Sequence, residues 1–409
     1  MPIRFFTTCF SATSAALAIA LLLSASPSPL KAGTISADEV VSPLVTMPIA
    51  SPSPVLGSDD RTHLAYELVL MSMASGTVTI EKVETLDEAS GSVLNTLEGD
   101  ALTQMLRLNG GAKGNVLPAG GSGILFIDVT LPGDASIPKA VKHRIEISAE
   151  KSPAPKTDGD RDPAPEPAED IVFTSDALPV GEAAVVVAPP LKGKGWVVGG
   201  GCCTPYSYHR GATLPINGGI RVAERFAIDF VQLNAKGMLA TGPADKVESY
   251  AYFGDAIHAA ADGTVVAVED DLPEQIPGKL PDDATIQMAG GNYTVIDIGD
   301  GRFTFYAHMQ PGSLKVKAGD KVKTGDVIGL LGNSGNTDTP HLHFHVMDGP
   351  SPLLSNGLPY VFTSFTGAGR ITDEDPLFKG GKVNIDPKAL GGAHKNQLPL
   401  NLEVIDFPQ

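Results

Sequence analysis

Apolar and polar residues alternate in several short segments of the amino-terminal half of the chain, which is the pattern of half-buried strands. Turn residues separate these segments, and one stretch between them favours a short helix at 97–108. The clearest predicted strands are 63–71, 76–84, 123–131 and 143–148. Short strands at this spacing predict a β-sandwich-like domain over residues 61–150.

Changes in composition divide the rest of the chain. Residues 33–60 are rich in Ser, Pro and Val and predict an extended linker, and 151–195 predicts a Pro-rich linker with connecting strands. Strand-like alternation returns in a second domain at 196–365, and 366–409 is a C-terminal extension without a recognisable motif. The predicted fold class is therefore all-β, with a sandwich-like domain followed by a second domain built on a β-sheet.

The first 32 residues have the features of a secretory signal peptide. Arg4 supplies the positive end, Ala15 begins an apolar run that ends at Leu23, and small residues follow it. This run is shorter than the roughly 20 residues that a membrane-spanning helix needs. We therefore expect an exported protein, periplasmic or secreted, without a transmembrane span in its mature form, the alternative being a membrane anchor.

The formal net charge of -17 and the lack of a Lys/Arg cluster argue against a nucleic-acid partner. Cys202 and Cys203 are adjacent, so they form either a vicinal disulfide or a loose thiol pair. Zinc-binding cysteines are normally spaced by two to four residues, so this pair does not indicate a zinc site.

Three histidines alternate with apolar residues in the second domain. His341, His343 and His345 are separated by Leu342 and Phe344. Side chains alternate faces along a strand, so this pattern places three imidazoles on one face and apolar groups on the other. Packing alone does not explain three histidines on one face, and the pattern indicates a functional site.

Two other predicted strands carry candidate residues. In 302–308, Tyr306 and His308 are predicted to share one face, opposite Phe305. In 225–230, Asp229 lies among apolar neighbours. Burying a carboxylate is costly unless it is paired or bound to a metal, so Asp229 is a candidate metal ligand, with a salt bridge as the alternative.

The order of these segments resembles the lysostaphin/LytM family of zinc endopeptidases. An Asp, a Tyr-x-His and then a Gly-x-x-Gly loop before Pro-His-Leu-His-Phe follow each other as in that family, and 256–266 and 316–329 resemble its supporting strands. The similarity covers about two-fifths of the chain. It implies a LytM-type peptidase domain at 196–365, Zn²⁺ as cofactor and peptidoglycan peptides as substrate.

The resemblance also implies a role for individual residues. Asp229 and His343 match zinc ligands, and His308 and His341 match the two catalytic histidines beside the bound water. In that chemistry the metal activates the water, and the two histidines orient it, take its proton and stabilise the oxyanion.

One position departs from the family pattern. The residue four before Asp229, a His ligand in the family, is Arg225, whose guanidinium does not bind zinc. Another histidine then supplies the third ligand, with His209 preferred over His345. Alternatively, the protein binds no zinc and holds wall peptides or activates another cell-wall hydrolase. In a third explanation Arg225 pairs with Asp229 and the remaining histidines bind a metal differently. A zinc-dependent peptidoglycan endopeptidase is the main prediction.

Overall fold

The computed structural model describes residues 39–409 apart from 112, 151–167, 205–206 and 283. The predicted signal peptide and residues 151–167 of the predicted Pro-rich linker lie outside the described residues. Ser42–Gln409 is one compact unit that contains both predicted domains. No helix in the described part of the chain is long and apolar enough to cross a membrane.

The first domain contains one short helix and strands β1 to β11. The helix, α1, spans Gly99–Met105, within the predicted 97–108. The strands are β1 (Leu44–Pro48), β2 (Pro54–Leu56), β3 (Arg61–Ser72), β4 (Val78–Asp87), β5 (Val93–Glu98), β6 (Leu106–Leu108), β7 (Val116–Leu117), β8 (Ser122–Pro132), β9 (Ala140–Ala149), β10 (Glu169–Thr174) and β11 (Leu178–Pro179).

These strands form two sheets that pack face to face. One sheet has the order β1-β3-β8-β6 with β2 beside β3, and the other has the order β10-β9-β4-β5 with β11 beside β9 and β7 beside β4. Their shared core includes Leu64, Tyr66, Ile127 and Ile145, which are the inward members of the alternating segments. The predicted sandwich is therefore confirmed.

The segments predicted as linkers contribute strands to both domains. Within 33–60, β1 and β2 pair with β3, so the described part of this segment belongs to the sandwich. Both strands are short and flanked by prolines, so the composition of the segment predicts a linker and not strands. Within 151–195, β10 and β11 extend the sandwich.

The second domain contains strands β12 to β29, two short helices and two 3-10 turns. A further 3-10 turn, Asn109–Gly111, lies in the first domain. The helices are α2 (Tyr208–Gly211) and α3 (Asp375–Phe378), and the 3-10 turns are Val247–Ser249 and Ile286–Met288. The strands are β12 (Val185–Val187), β13 (Gly193–Gly199), β14 (Leu214–Ile216), β15 (Gly219–Arg221), β16 (Ile228–Gln232), β17 (Ala256–His258), β18 (Gly263–Glu269), β19 (Asn292–Gly299), β20 (Arg302–Met309), β21 (Lys321–Val322), β22 (Val327–Leu330), β23 (Leu342–Met347), β24 (Gly357–Leu358), β25 (Tyr360–Phe362), β26 (Phe365–Ile371), β27 (Ile385–Asp386), β28 (Gly392–His394) and β29 (Glu403–Phe407).

Most of these strands form one antiparallel sheet with the order β21-β18-β19-β20-β23-β16-β13-β29-β26-β27. The four strands that carry or adjoin the candidate residues, β20, β23, β16 and β13, are neighbours at its centre. The predicted C-terminal extension, 366–409, continues this sheet, because β29 pairs with β13 and β26 pairs with β29.

Strand β3 is buried on both faces, and this joins the two domains. Leu64 and Tyr66 point into the sandwich core. Ala65 packs in the core of the second domain, and Glu67 is fully buried on the same outer face. The two-residue period of a strand thus gives β3 one face for each domain.

Candidate metal and catalytic site

Strand register brings the first two candidate residues together. Asp229 on β16 lies directly opposite His343 on β23, and His343 lies opposite Ala307 on β20. Opposite residues of an antiparallel pair direct their side chains to the same face of the sheet. The Asp229 carboxylate and the His343 imidazole therefore meet, with Oδ1 2.9 Å from Nδ1.

His209 reaches the same carboxylate from helix α2. Its Nδ1 lies 3.1 Å from the carbonyl oxygens of both Gly200 and Ala227, and carbonyls only accept hydrogen bonds. Nδ1 therefore carries a hydrogen, and Nε2 lies 3.2 Å from Asp229 Oδ1. One ligand atom from each of His209, Asp229 and His343 lies within 4.8 Å of the others.

Gly200 permits this approach of His209. Its φ is 63°, a conformation that residues with a side chain rarely adopt. A Cβ at this position would lie 2.6 Å from Nδ1 of His209, which is too close for any side chain. Glycine is therefore required where the backbone after β13 passes under the imidazole.

The route by which His308 reaches the site differs from the sequence prediction. Register places Phe305 and Ala307 on the His343 face of the sheet, while Tyr306 packs in the core of the domain. Strict alternation would put His308 with Tyr306, and that prediction is wrong. His308 has a φ of 61°, and its ring lies 6.0 Å from that of His343. Such a backbone conformation costs about 1–3 kcal/mol and persists only where the surroundings hold it.

His308 and His341 form a pair of similarly held imidazoles. Their ring centroids are 4.4 Å apart. Nδ1 of His308 donates to the carbonyl oxygen of Ser334 at 2.7 Å, and Nδ1 of His341 donates to that of Thr339 at 2.7 Å. In both residues Nε2 is left to exchange a proton. His341 Nε2 lies 3.4 Å from Asp229 Oδ1 and is buried without a hydrogen-bond partner.

His345, the other candidate for the third ligand, lies on the far side of His343. Its Nδ1 is 2.9 Å from Nε2 of His343, the nitrogen that does not face Asp229. It is therefore outside the group formed by His209, Asp229 and His343. Its own Nε2 is buried without a hydrogen-bond partner.

Arg225 does not face the site. Strand β16 begins only after Phe226, whose φ of 74° interrupts the predicted strand. The guanidinium turns away and pairs with Glu67 of the first domain, with Nη1 2.8 Å from Oε2, and it also donates to the carbonyl oxygen of Gly357. The explanation in which Arg225 pairs with Asp229 is therefore wrong.

Burial and neighbouring charges shift the pKa values of the ionisable groups of the site in different directions. Burial opposes protonation of His209, but the nearby Asp229 carboxylate outweighs it and raises the His209 pKa to about 9. Burial favours a neutral Asp229, yet His209 and His341 hold its pKa well below the ordinary value. Burial and the neighbouring His341 and His343 lower the pKa of His308 well below its usual range.

The donor set fits a zinc ion. Two imidazole nitrogens and one carboxylate oxygen are ligands that catalytic zinc uses, with a further position left for water. The nitrogens of His209, His341 and His343 crowd around Asp229 Oδ1, and the unpartnered Nε2 of His341 is a polar atom in need of a partner. A cation among these atoms would satisfy the carboxylate.

Tyr208 is a site residue that the sequence interpretation missed. Its hydroxyl donates to Asp229 Oδ2 at 2.7 Å, the carboxylate oxygen that His209 and His343 do not contact. It is half-exposed and therefore borders the opening of the site. The only sequence signal for it is its place directly before His209.

Cys202 and Cys203 are joined in a vicinal disulfide, one of the two predicted alternatives. Cys203 also lies near His63 and Asp128, the second group of metal-binding residue types found in the described residues. Both ring nitrogens of His63 already contact carboxylates, those of Asp59 and Asp128, and the sulfur is engaged in the disulfide. An ion pair accounts for this group.

Comparison with known proteins identifies the central part of the second domain. Residues 247–354 match the sequence profile described as Peptidase family M23. This stretch includes His308, His341 and His343 but neither Asp229 nor His209.

Similar proteins include two curated relatives and one solved structure. Endolysin 2638A of Staphylococcus phage 2638A is 37% identical over 79 residues, 19% of this chain and 16% of that protein. Peptidoglycan DD-endopeptidase ShyA of Vibrio cholerae is 44% identical over 57 residues, 14% of this chain and 13% of that protein. The matches thus span less than a fifth of either relative. The catalytic domain of lysostaphin from Staphylococcus simulans is 26% identical with a TM-score of 0.21, covering 35% of this chain and 80% of that one.

Proposed function

We propose that this chain, which contains a domain of peptidase family M23, is an exported zinc-dependent endopeptidase that hydrolyses peptide bonds in peptidoglycan. One observation carries the proposal: ligand atoms of His209, Asp229 and His343 converge within 4.8 Å of one another, beside two histidines whose Nε2 atoms can exchange protons. The name of the related ShyA supports peptidoglycan as the substrate.

In this proposal His209 Nε2, Asp229 Oδ1 and His343 Nδ1 hold the metal. His209 takes the place of the ligand that the family has at the position of Arg225. Zinc, when bound, polarises the scissile carbonyl and lowers the pKa of a water to ~7. Tyr208 and His345 hydrogen-bond to Asp229 and His343, and such outer contacts orient ligands and tune their basicity.

His308 and His341 perform the proton transfers. The backbone carbonyls of Ser334 and Thr339 fix a hydrogen on each Nδ1, so Nε2 is the atom that accepts a proton from water or returns one to the leaving amine. Their rings lie side by side, so both can address the same tetrahedral intermediate, one as the base and one as a donor to the oxyanion.

Zinc content and peptidoglycan hydrolysis of the purified mature chain test the proposal. We expect about one zinc per chain in the wild type, with His209→Ala and His343→Ala losing both metal and activity. His258→Ala is the matched control, because His258 is a buried histidine of the same domain that contacts the Gly325 carbonyl and lies outside the cluster. It should keep both.

Two results would contradict the proposal. A wild-type chain that takes up no zinc and still binds peptidoglycan would exclude the zinc enzyme and favour the alternative, a catalytically inactive wall-binding protein that activates or scaffolds another hydrolase. A chain that holds zinc in His209→Ala but loses it in His345→Ala would assign the third ligand to His345.

A further inference from the structure

Arg210 ties the helical turn that carries His209 to the first domain. Its side chain is almost fully buried. The guanidinium donates to Glu67 Oε1 at 3.3 Å and to the carbonyl oxygens of Tyr66 and Ile127 at 3.3 and 2.7 Å. These three acceptors lie on β3 and β8 of the sandwich, and Nη1 also donates to the carbonyl oxygen of Cys203 in its own domain. The residue that follows a proposed metal ligand is thus held by the other domain.

Glu67 is the centre of this contact. It is completely buried, and its two carboxylate oxygens bind two arginines, Arg210 through Oε1 and Arg225 through Oε2. The ring of Phe126, on the same outer face of the sandwich sheet, packs 5.6 Å from the Arg210 guanidinium. A buried carboxylate between two buried guanidinium groups fixes their geometry, because burial keeps bulk solvent from competing for either partner.

Arg225 is the second arginine that pairs with Glu67. It occupies the position at which the resemblance expects a zinc ligand, and it pairs with the same Glu67 that holds Arg210. The residue that removes one ligand from the site therefore also strengthens the anchor of the segment that brings His209 to the site.

We propose that Glu67 is a positioning residue for the metal site. It holds Arg210, Arg210 fixes helix α2, and His209 is thereby presented to Asp229. The sandwich domain then completes the metal site of the peptidase domain. This inference rests on the proposed function, because it requires His209 to be a metal ligand.

The zinc affinity of the full mature chain, measured by competition with a chromophoric chelator, tests the inference. Glu67→Gln should bind zinc roughly 10–100-fold more weakly than the wild type, as for other changes to groups that orient a ligand. Glu84→Gln is the matched control, since Glu84 is also a buried carboxylate of the sandwich paired with a cation, Arg144, but lies on β4, in the sheet that does not contain β3. Its zinc affinity should equal that of the wild type.

Hydrogen–deuterium exchange of the zinc-free chain separates positioning from general stability. Glu67→Gln should speed exchange in residues 207–213, while exchange in β20 and β23 stays unchanged. Should Glu67→Gln fail to fold, Arg210→Lys carries the test, because it keeps the charge opposite Glu67 but loses the contacts of the planar guanidinium.

If these variants bind zinc as tightly as the wild type, or if exchange rises evenly across the second domain, the inference is wrong but the proposed function is unaffected. A wild-type chain without zinc would overturn the proposed function and the inference with it.

Discussion

Asp229 and His343 lie directly opposite each other on two central strands, and their Oδ1 and Nδ1 atoms are 2.9 Å apart. The same oxygen of Asp229 lies within 3.4 Å of nitrogens from His209 and His341. One carboxylate thus organises three imidazoles, and against the effect of burial it raises the pKa of both His209 and His341.

Replacing Asp229 by Asn should therefore change the titration of His209. Without the carboxylate, burial disfavours the charged imidazole and only the weaker effects of Glu224 and the Gly200 carbonyl oppose it, so the His209 pKa should fall well below about 9. A pH titration of the zinc-free protein by NMR measures this. His63 is the internal control, because Asp59 and Asp128 hold its pKa at about 9 against the effect of burial. A His209 pKa that stays near 9 in Asp229→Asn would show that another group holds its charge.

His345→Ala should weaken zinc binding without abolishing it. His345 contacts Nε2 of His343, the nitrogen turned away from Asp229, so it orients a ligand. Loss of such a partner typically costs 10–100-fold in metal affinity, whereas loss of one of three ligands removes the site. Equilibrium dialysis against buffered zinc distinguishes the two, with His209→Ala as the comparison. Equal loss in both variants would contradict the assignment of His345 to an orienting role.

The parts of the structure that the sequence predicts are those governed by local alternation. The strands of the sandwich and the face shared by His341, His343 and His345 follow from a period of two residues, which each strand shows on its own. The meeting of Asp229 with His343 needed more than periodicity, and the family resemblance supplied it. The local pattern of residues thus predicts individual strands, whereas the pairing between strands is known only from the fold.

Other features could not be predicted because they depend on single backbone conformations or on distant contacts. The left-handed φ of Phe226 and of His308 interrupts the alternation of side chains along a strand, and neither position is a glycine that would have indicated it. Arg225 pairs with Glu67, which lies 158 residues earlier in the chain. No sequence pattern around either residue predicts a contact at that separation. The preference for His209 over His345 likewise had no geometric basis until the fold brought helix α2 to Asp229.

His308→Ala and His341→Ala should keep zinc and lose activity. Neither histidine belongs to the group formed by the three ligand atoms, and both hold their Nδ1 hydrogens on backbone carbonyls. Loss of a positioned acid or base typically lowers the rate roughly a hundredfold to ten-thousandfold. The kcat for peptidoglycan fragments, measured beside zinc content and with His258→Ala as control, checks this. Loss of zinc in either variant would mean that it, too, holds the metal.

The ion pair around His63 should make the stability of the chain fall as the pH rises above neutrality. Burial lowers the pKa of this histidine, but Asp128 and Asp59 outweigh it and raise the folded-state pKa from 6.5 to about 9. A raised folded pKa means that the contribution is fully present below pH 6.5 and is lost as the pH rises through about 9. Its full size is roughly 3 kcal/mol.

Urea unfolding of the zinc-free chain across this range, for the wild type and His63→Gln, isolates the effect, because other titrating groups cancel in the difference. His143→Gln is the matched control in the same domain. Burial lowers the pKa of His143 to about 4, so it stays neutral in the folded state over the whole window. The gap in unfolding free energy between the wild type and His63→Gln should shrink from pH 6.5 to pH 9. A gap that is constant with pH would show that His63 is held neutral and that its two carboxylates carry no charge-dependent stability.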